Sequence, residues 1–218
     1  DKGVIFVGIS DEDAPTVTPF VKKMGKKMDY KVAIDDNRKT FKSWMTAYGQ
    51  NGIPTAFIVN KQRKIAWLGH PMGGLDEALR QITEGTYDLQ SASKGYAAKK
   101  LLPDYFALEI AGSLTKAKAL GEKIMADGST DAQLMNALAW DILTSPKLKS
   151  RDLDLAMKAA QAAYDASQGN NAGILDTYAL AFYKTGDVKK AVQYQRKAVG
   201  LMNDPQLSET LKKYEDEL

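Results

Sequence analysis

The sequence predicts an α/β domain followed by an all-helical domain. Short apolar segments alternate with helical patterns over residues 1–84, which is typical of an α/β fold. Residues 104–218 carry helical periodicity alone. Between them, Gly, Ser and Thr interrupt any period over residues 85–103, which predicts a linker.

The α/β domain begins with an apolar run over residues 4–9 that shows no alternation. Such a run is typical of a parallel strand that is covered on both faces. Residues 10–15 then supply helix-starting side chains, and apolar residues recur at helical spacing up to Gly25, which predicts a helix. We expect a short strand over residues 30–34 and a second helix over 39–48.

The rest of this domain reads as a β-hairpin and a helix. Residues 56–59 form an apolar strand, 60–63 a turn and 64–68 a second strand, so residues 55–68 are predicted to be a hairpin. Residues 75–82 are predicted to form the last helix. The predicted order over residues 1–84 is therefore β-α-β-α-β-β-α.

The composition excludes several kinds of chemistry. The chain is 44% hydrophobic and 26% charged, as in ordinary globular proteins, and no apolar run is long enough to cross a membrane. Its net charge of +3 comes from 30 Lys and Arg against 27 Asp and Glu, so nucleic acid is not an expected partner. Without cysteine, and with one histidine, the chain offers no disulfide, no thiolate nucleophile and no conventional zinc site. We expect no metal and no cofactor.

Three segments in this order resemble the second half of a thioredoxin-fold redoxin of the TlpA/ResA type. They are KGVIFVGIS at 2–10, GIPTAFIVN at 52–60 and KIAWLGH at 64–70. In that family, Gly-Ile-Pro-Thr is the cis-proline loop before a strand. The resemblance implies a thioredoxin-like fold, thiol-disulfide oxidoreductase activity of the parent on a thiol or disulfide protein substrate, and a periplasmic or otherwise extracytoplasmic location.

The resemblance also implies a substrate-binding site at Ile53, Pro54 and Thr55. In redoxins the backbone of this loop lies beside the redox cysteines and pairs with an extended substrate chain. An X-Pro bond adopts the cis form at modest cost, which suits such a loop. From Gly-x-Pro alone, an ordinary trans proline would be the preferred interpretation. No catalytic residue is predicted in this chain.

The redox motif of the family is missing. Redoxins carry Trp-Cys-x-x-Cys at the end of a strand and the start of a helix, where the helix N-terminus lowers the pKa of the attacking thiol. The family order places that βα unit just before Asp1, with its strand between residues 4–9 and 56–59. We expect a fragment of a longer protein rather than a natural protein without the unit, because two apolar strand edges would stay unpaired. A homodimer through these open edges is a further expectation.

The helical domain contains an internal repeat. One long helix is predicted over residues 105–128, and the motif Ala-Leu-Ala-Trp at 137–140 then recurs as Ala-Leu-Ala-Phe at 179–182. Residues 155–158 correspond to 190–193. The first pair of segments is offset by 42 residues and the second pair by 35 residues. A period of about 34 residues with small residues at the helix crossing resembles the tetratricopeptide signature. The resemblance implies a peptide or protein partner, although two repeats fall short of the usual three.

The remaining candidate residues favour structural roles. His70 could carry a proton, but it is better interpreted as a turn residue after a strand. Asp35 and Asp36 precede a helix, so they are interpreted as capping groups rather than a catalytic pair. The lysines at 22–27 are interpreted as a solvated helix face.

Two functions follow. The first is the C-terminal part of a thiol-disulfide oxidoreductase, inactive alone because its redox cysteines lie elsewhere. The alternative is a non-catalytic module, thioredoxin-like and tetratricopeptide-like, that binds a partner.

Overall fold

A computed structural model describes residues 3–218, so Lys2, the first residue of the resembling segments, lies outside the described residues. The chain divides into two compact units, Asp1–Tyr87 and Asp88–Leu218. The first unit is mixed α/β and the second is helical throughout, which confirms the two predicted classes of structure.

Over residues 3–87 the first unit contains four strands and two α-helices. In chain order they are β1 (Val7–Ser10), α1 (Ala14–Met24), β2 (Lys31–Ile34), β3 (Ala56–Val59), β4 (Ile65–Gly69) and α2 (Leu75–Glu84). Short 3-10 helices occupy Gly25–Lys27 and Asp36–Arg38, and a π-helix occupies Phe41–Thr46 within the predicted second helix.

The strands form two separate two-stranded sheets. β1 runs parallel to β2, with Val7 opposite Lys31. β3 runs antiparallel to β4, with Ala56 opposite Gly69, which confirms the predicted hairpin. Within residues 3–218 no strand hydrogen bonds join the two sheets.

The expectation that the first strand is covered on both faces is wrong for the described chain. Val7 and Ile9 are 51% and 55% exposed, because no element of the described unit packs on the face that they share. The other face of the strand is occupied: a Cβ atom at Gly8 would lie 2.9 Å from Cε2 of Tyr30.

The second unit consists of consecutive helices joined by short loops. They are α3 (Leu89–Lys99), α4 (Leu102–Ile110), α5 (Leu114–Gly128), α6 (Ala132–Thr144), α7 (Leu153–Ala166), α8 (Ala172–Lys184), α9 (Val188–Leu201) and α10 (Pro205–Asp216). Most of the buried apolar residues of the chain form one cluster in this unit.

The linker predicted at 85–103 is instead largely helical. Its helix α3 begins where the Asp88 carboxylate accepts a hydrogen bond from the Ser91 amide. Gly95 and Ala98 are buried, and a Cβ atom at Gly95 would lie 3.6 Å from Cβ of Asp131. Small residues that suggested a loop therefore allow close packing against the helical core.

The single helix predicted at 105–128 is a helical hairpin, α4 and α5. Gly112 has φ +74° and ends α4, and the Ser113 amide donates to the Leu108 carbonyl. Gly186 has φ +89° between α8 and α9, where the Asp187 amide donates to Phe182 in the same way. The described second unit therefore holds three helical hairpins, α4/α5, α6/α7 and α8/α9, rather than two, and the first and third share the same glycine turn.

The structure also corrects the alignment of the repeats. Helices α6 and α8 begin at the capping residues Asp131 and Asn171, an offset of 40 residues instead of 42. Ala139 therefore corresponds to Ala179, and both are fully buried. The second helices keep the predicted offset of 35 residues, since Asp152 caps α7 and Asp187 caps α9.

Candidate functional site

The predicted substrate-binding residues form an exposed loop before β3. The Ile53–Pro54 peptide bond is cis, as expected, and the Ile53 side chain is 87% exposed. The Thr55 hydroxyl donates to the Gly52 carbonyl at 2.7 Å, which ties the two ends of the loop together. This arrangement presents an apolar side chain and the adjoining backbone to solvent.

A second exposed apolar side chain lies at the same end of the hairpin. Because Ala56 at the start of β3 pairs with Gly69 at the end of β4, the loop after Gly69 leaves the sheet beside the 53–55 loop. Met72 in that loop is 91% exposed. Sequence reasoning missed Met72, since a single methionine next to two glycines carries no signal of its own.

The loop after β4 is shaped by His70. Its Nδ1 accepts a hydrogen bond from the Met72 amide at 3.2 Å, and its carbonyl accepts one from the Gly73 amide at 2.7 Å. These contacts confirm the interpretation of His70 as a turn residue.

Aromatic packing fixes the position of β3. The rings of Trp44 and Tyr48, from the segment before the loop, meet the Phe57 ring edge-on at centroid distances of 5.4 and 6.1 Å. The buried side chain of Met45 lies in the same π-helix as Trp44. The 53–55 loop is therefore held at both ends, by a packed helical turn and by a paired strand.

One face of β1 is apolar and uncovered. Val7 and Ile9 share this face by alternation and are 51% and 55% exposed, and Ile5, which precedes the strand, is 77% exposed. Within the described residues β1 pairs with β2 alone and β3 with β4 alone, so each of the four strands keeps one unpaired edge. Exposed apolar strands with open edges favour pairing with a further strand.

Asp35 is a capping group, as the sequence suggested. Its carboxylate oxygens accept hydrogen bonds from the Thr40 and Phe41 amides, each at 2.8 Å. Burial acts to raise the pKa of this carboxyl, but the two amides outweigh that effect and hold the pKa below its ordinary value. Asp36 pairs with Lys39 at 2.6 Å, so the two neighbouring carboxylates act separately.

The helical unit carries a second candidate surface, on α6. Asn136 and Trp140 lie one turn apart and share one face of the helix. The Asn136 Oδ1 atom is buried without a hydrogen-bond partner in residues 3–218, and the Trp140 side chain is 41% exposed. In the corrected register Asp176 and Leu180 of α8 occupy the equivalent positions, and α8 packs against α6.

Asp176 is tied to the last two helices. Its Oδ1 accepts a hydrogen bond at 2.8 Å from Nε2 of the fully buried Gln195, which also donates to the Leu207 carbonyl at 3.2 Å. Burial raises the pKa of the Asp176 carboxyl, and the Gln195 hydrogen bond offsets part of that increase.

Within residues 3–218 no group of three or more His, Cys, Asp or Glu side chains is arranged to hold a metal ion. Over the same residues, none of the helices has both the length and the apolar character needed to cross a membrane.

No protein-family model matches the chain, and no curated protein or solved structure matches it either. The proposals below therefore rest on the sequence motifs and the geometry of the chain itself.

Proposed function

We propose that the chain is the C-terminal part of a thiol-disulfide oxidoreductase of the redoxin family, with its first unit the second half of a thioredoxin-like fold. A βα unit with a Cys-x-x-Cys pair completes this fold. The 218 residues contain no cysteine, so the chain alone has no redox activity. From the resemblance we infer a periplasmic or otherwise extracytoplasmic location for the parent protein.

The observation that carries this proposal is the separation of the two sheets. β1 and β3 each have an open edge, and β1 exposes an apolar face. One apolar strand inserted between β1 and β3, followed by a helix on the exposed face, would pair both edges and bury Ile5, Val7 and Ile9. The inserted unit is the one that carries the cysteines in redoxins.

The 53–55 loop has a defined role in this proposal. The backbone beside Pro54 pairs with an extended segment of the substrate protein, while Ile53 contacts its apolar side chains. In the exchange reaction, a thiolate of the parent attacks one sulfur of a substrate disulfide. The substrate S–S bond breaks, a mixed disulfide forms and the other substrate sulfur leaves as a thiolate. The second cysteine thiolate then displaces the substrate thiolate, so the substrate is reduced and the enzyme becomes a disulfide.

Insulin reduction by the full-length parent tests this function. We expect reduction of insulin by dithiothreitol to be accelerated by the parent and not by the 218-residue chain. Substitution of Ile53 by Ser in the parent is expected to weaken substrate binding, whereas Ile110→Ser, at an exposed position on the helical unit, serves as the matched control. A parent with residues other than cysteine at the motif, and no activity, would refute the proposal.

A second candidate function is partner binding by the helical unit without catalysis. It is favoured by three consecutive helical hairpins and by the Trp140 ring, which is 41% exposed on α6. In this proposal an apolar side chain of an extended peptide covers the Trp140 ring.

Selection of a random peptide library against the chain tests this candidate. Peptides that bind this surface are expected to lose affinity with Trp140→Ala and to retain it with Leu201→Ala, a similarly exposed control on α9. Equal loss with both variants would exclude the Trp140 surface.

A further inference from the structure

The C-terminal end of α1 carries a dense group of lysines. Five lysines lie within residues 22–31, where Asp29 is the sole acidic residue. All five are exposed, and none takes part in an ion pair within residues 3–218. We call this group the lysine surface; its members are Lys22, Lys23, Lys26, Lys27 and Lys31.

The fold of α1 keeps the lysines away from the interior. Val17 is 7% exposed, and Val21 and Met24, which follow at helical spacing, are partly buried on the same face. Lys22 and Lys23 fall outside this face by the same helical spacing. The helix therefore buries one apolar stripe and presents its charges to solvent.

Stabilisation of helix α1 explains only two of the five lysines. Lys22 and Lys23 lie in the last turn of α1, where positive charge complements the helix dipole. Lys26 and Lys27 lie beyond the end of α1, in the following 3-10 helix, and Lys31 is in β2. The acidic residues at 11–13 lie at the opposite end of the helix, so Asp29 alone faces five lysines in the sequence.

Two exposed aromatic rings accompany the charges. Phe20 in α1 is 53% exposed and Tyr30, next to Lys31, is 47% exposed. Exposed aromatic rings beside clustered lysines are the combination found on surfaces that rest on anionic bilayers, where the rings enter the headgroup region.

We propose that the lysine surface, with the Phe20 ring, docks the first unit onto a lipid bilayer that carries anionic headgroups. A bilayer is favoured over a nucleic acid because the surface contains lysine alone. Lysine ammonium groups act as hydrated point charges, whereas phosphate recognition in nucleic acids relies heavily on the planar fork of arginine. This docking is independent of any redox activity.

Vesicle co-sedimentation with the 218-residue chain tests the proposal. The probes are vesicles of phosphatidylcholine alone and of phosphatidylcholine mixed with phosphatidylglycerol. The test variant carries Lys22→Gln, Lys23→Gln, Lys26→Gln and Lys27→Gln. The matched control carries four exposed lysines of the helical unit changed to Gln, at Lys116, Lys118, Lys147 and Lys149. Phe20→Ala is a separate variant that keeps the charge.

We expect binding to the anionic vesicles only, with a loss of about fivefold in affinity per lysine removed and hence more than a hundredfold in the test variant. Salt should weaken binding, Phe20→Ala should reduce it, and the control should bind like the unmodified chain. Equal binding to both kinds of vesicle would overturn the proposal, as would equal loss in the control. Binding to heparin or DNA without binding to anionic vesicles would also overturn it.

Discussion

The Tyr105 ring lies against Gly121, and a side chain at position 121 would clash with that ring. A Cβ atom at Gly121 would lie 3.1 Å from Cε2 of Tyr105 and 2.6 Å from Cδ2 of Leu155. Tyr105 is fully buried and occupies, in the first hairpin, the place that Ala139 and Ala179 take in the other two. A large residue on α4 is thus matched by a glycine on α5.

Gly121→Val should destabilise the helical unit by about 1–3 kcal/mol, because the new methyl groups overpack the site between Tyr105 and Leu155. Urea unfolding monitored by circular dichroism measures the change. Gly200→Val, at a helical glycine with no atom within 4 Å of its Cβ position, is the control. We expect it to change stability by less than about 0.5 kcal/mol. Equal effects would contradict the packing described for α4 and α5.

The capping residues of the hairpins differ in a testable way. The Asp152 carboxylate accepts a hydrogen bond from the Leu155 amide at 2.9 Å, whereas the Ser113 side chain makes no capping hydrogen bond at the equivalent position. Asp152→Ala should therefore cost about 0.5–2 kcal/mol in the free energy of unfolding. Ser113→Ala should cost distinctly less. Thermal unfolding of the two variants compares them directly, and a larger effect at Ser113 would contradict the structure.

The pH dependence of stability tests whether burial disfavours the charged form of the Asp176 carboxyl. Burial raises its pKa, so the folded state binds the proton more tightly than the unfolded state. Its contribution to stability is greatest below the ordinary pKa of 3.8 and is lost as the pH rises through the raised folded value. Asp176→Asn keeps an acceptor for Gln195 and removes the charge, so it should leave the protein at least as stable at neutral pH.

The comparison variant is Asp176→Ala, which leaves the Gln195 amide without this acceptor and should cost about 1–3 kcal/mol. Measuring the free energy of unfolding at neutral and acidic pH separates the effect of the Asp176 charge from the effect of losing the acceptor for Gln195. An Asn variant less stable than the Ala variant would refute the account of this contact.

The contribution of Asp35 to stability should depend on pH in the opposite sense to that of Asp176. Its folded pKa is depressed, so its contribution to stability is complete above the ordinary value of 3.8 and is lost as the pH falls through the lower folded value. Tryptophan fluorescence during acid titration measures this loss, in a chain with Trp140→Phe so that only Trp44 and Trp67 of the first unit report. Asp35→Asn should remove this transition, and an unchanged titration would contradict the proposed capping role.

The sequence predicts strands well where apolar runs are bounded by turn residues, as the hairpin of β3 and β4 shows. It fails at Gly112, because the apolar spacing continues across the turn and only the positive φ of that glycine separates α4 from α5. It also fails at Gly95, where small residues suggested a linker but Gly95 and Ala98 are buried in helix α3.

The candidate site, like the fold, could be predicted from the sequence only in part. Ile53 to Thr55 was located from a motif, and the loop is exposed as that motif implies. Met72 could not be found, because its place beside the loop depends on the pairing of Ala56 with Gly69. Strand register is a long-range property, so a local pattern does not encode it.

The most direct test of the central claim is the reduction of insulin by the full-length parent, with the 218-residue chain measured beside it. The account predicts turnover by the parent, loss of that turnover when either cysteine of its Cys-x-x-Cys pair is changed to Ser, and no turnover by the chain. An inactive parent that lacks such a pair, or a chain that reduces insulin without any cysteine, would contradict it.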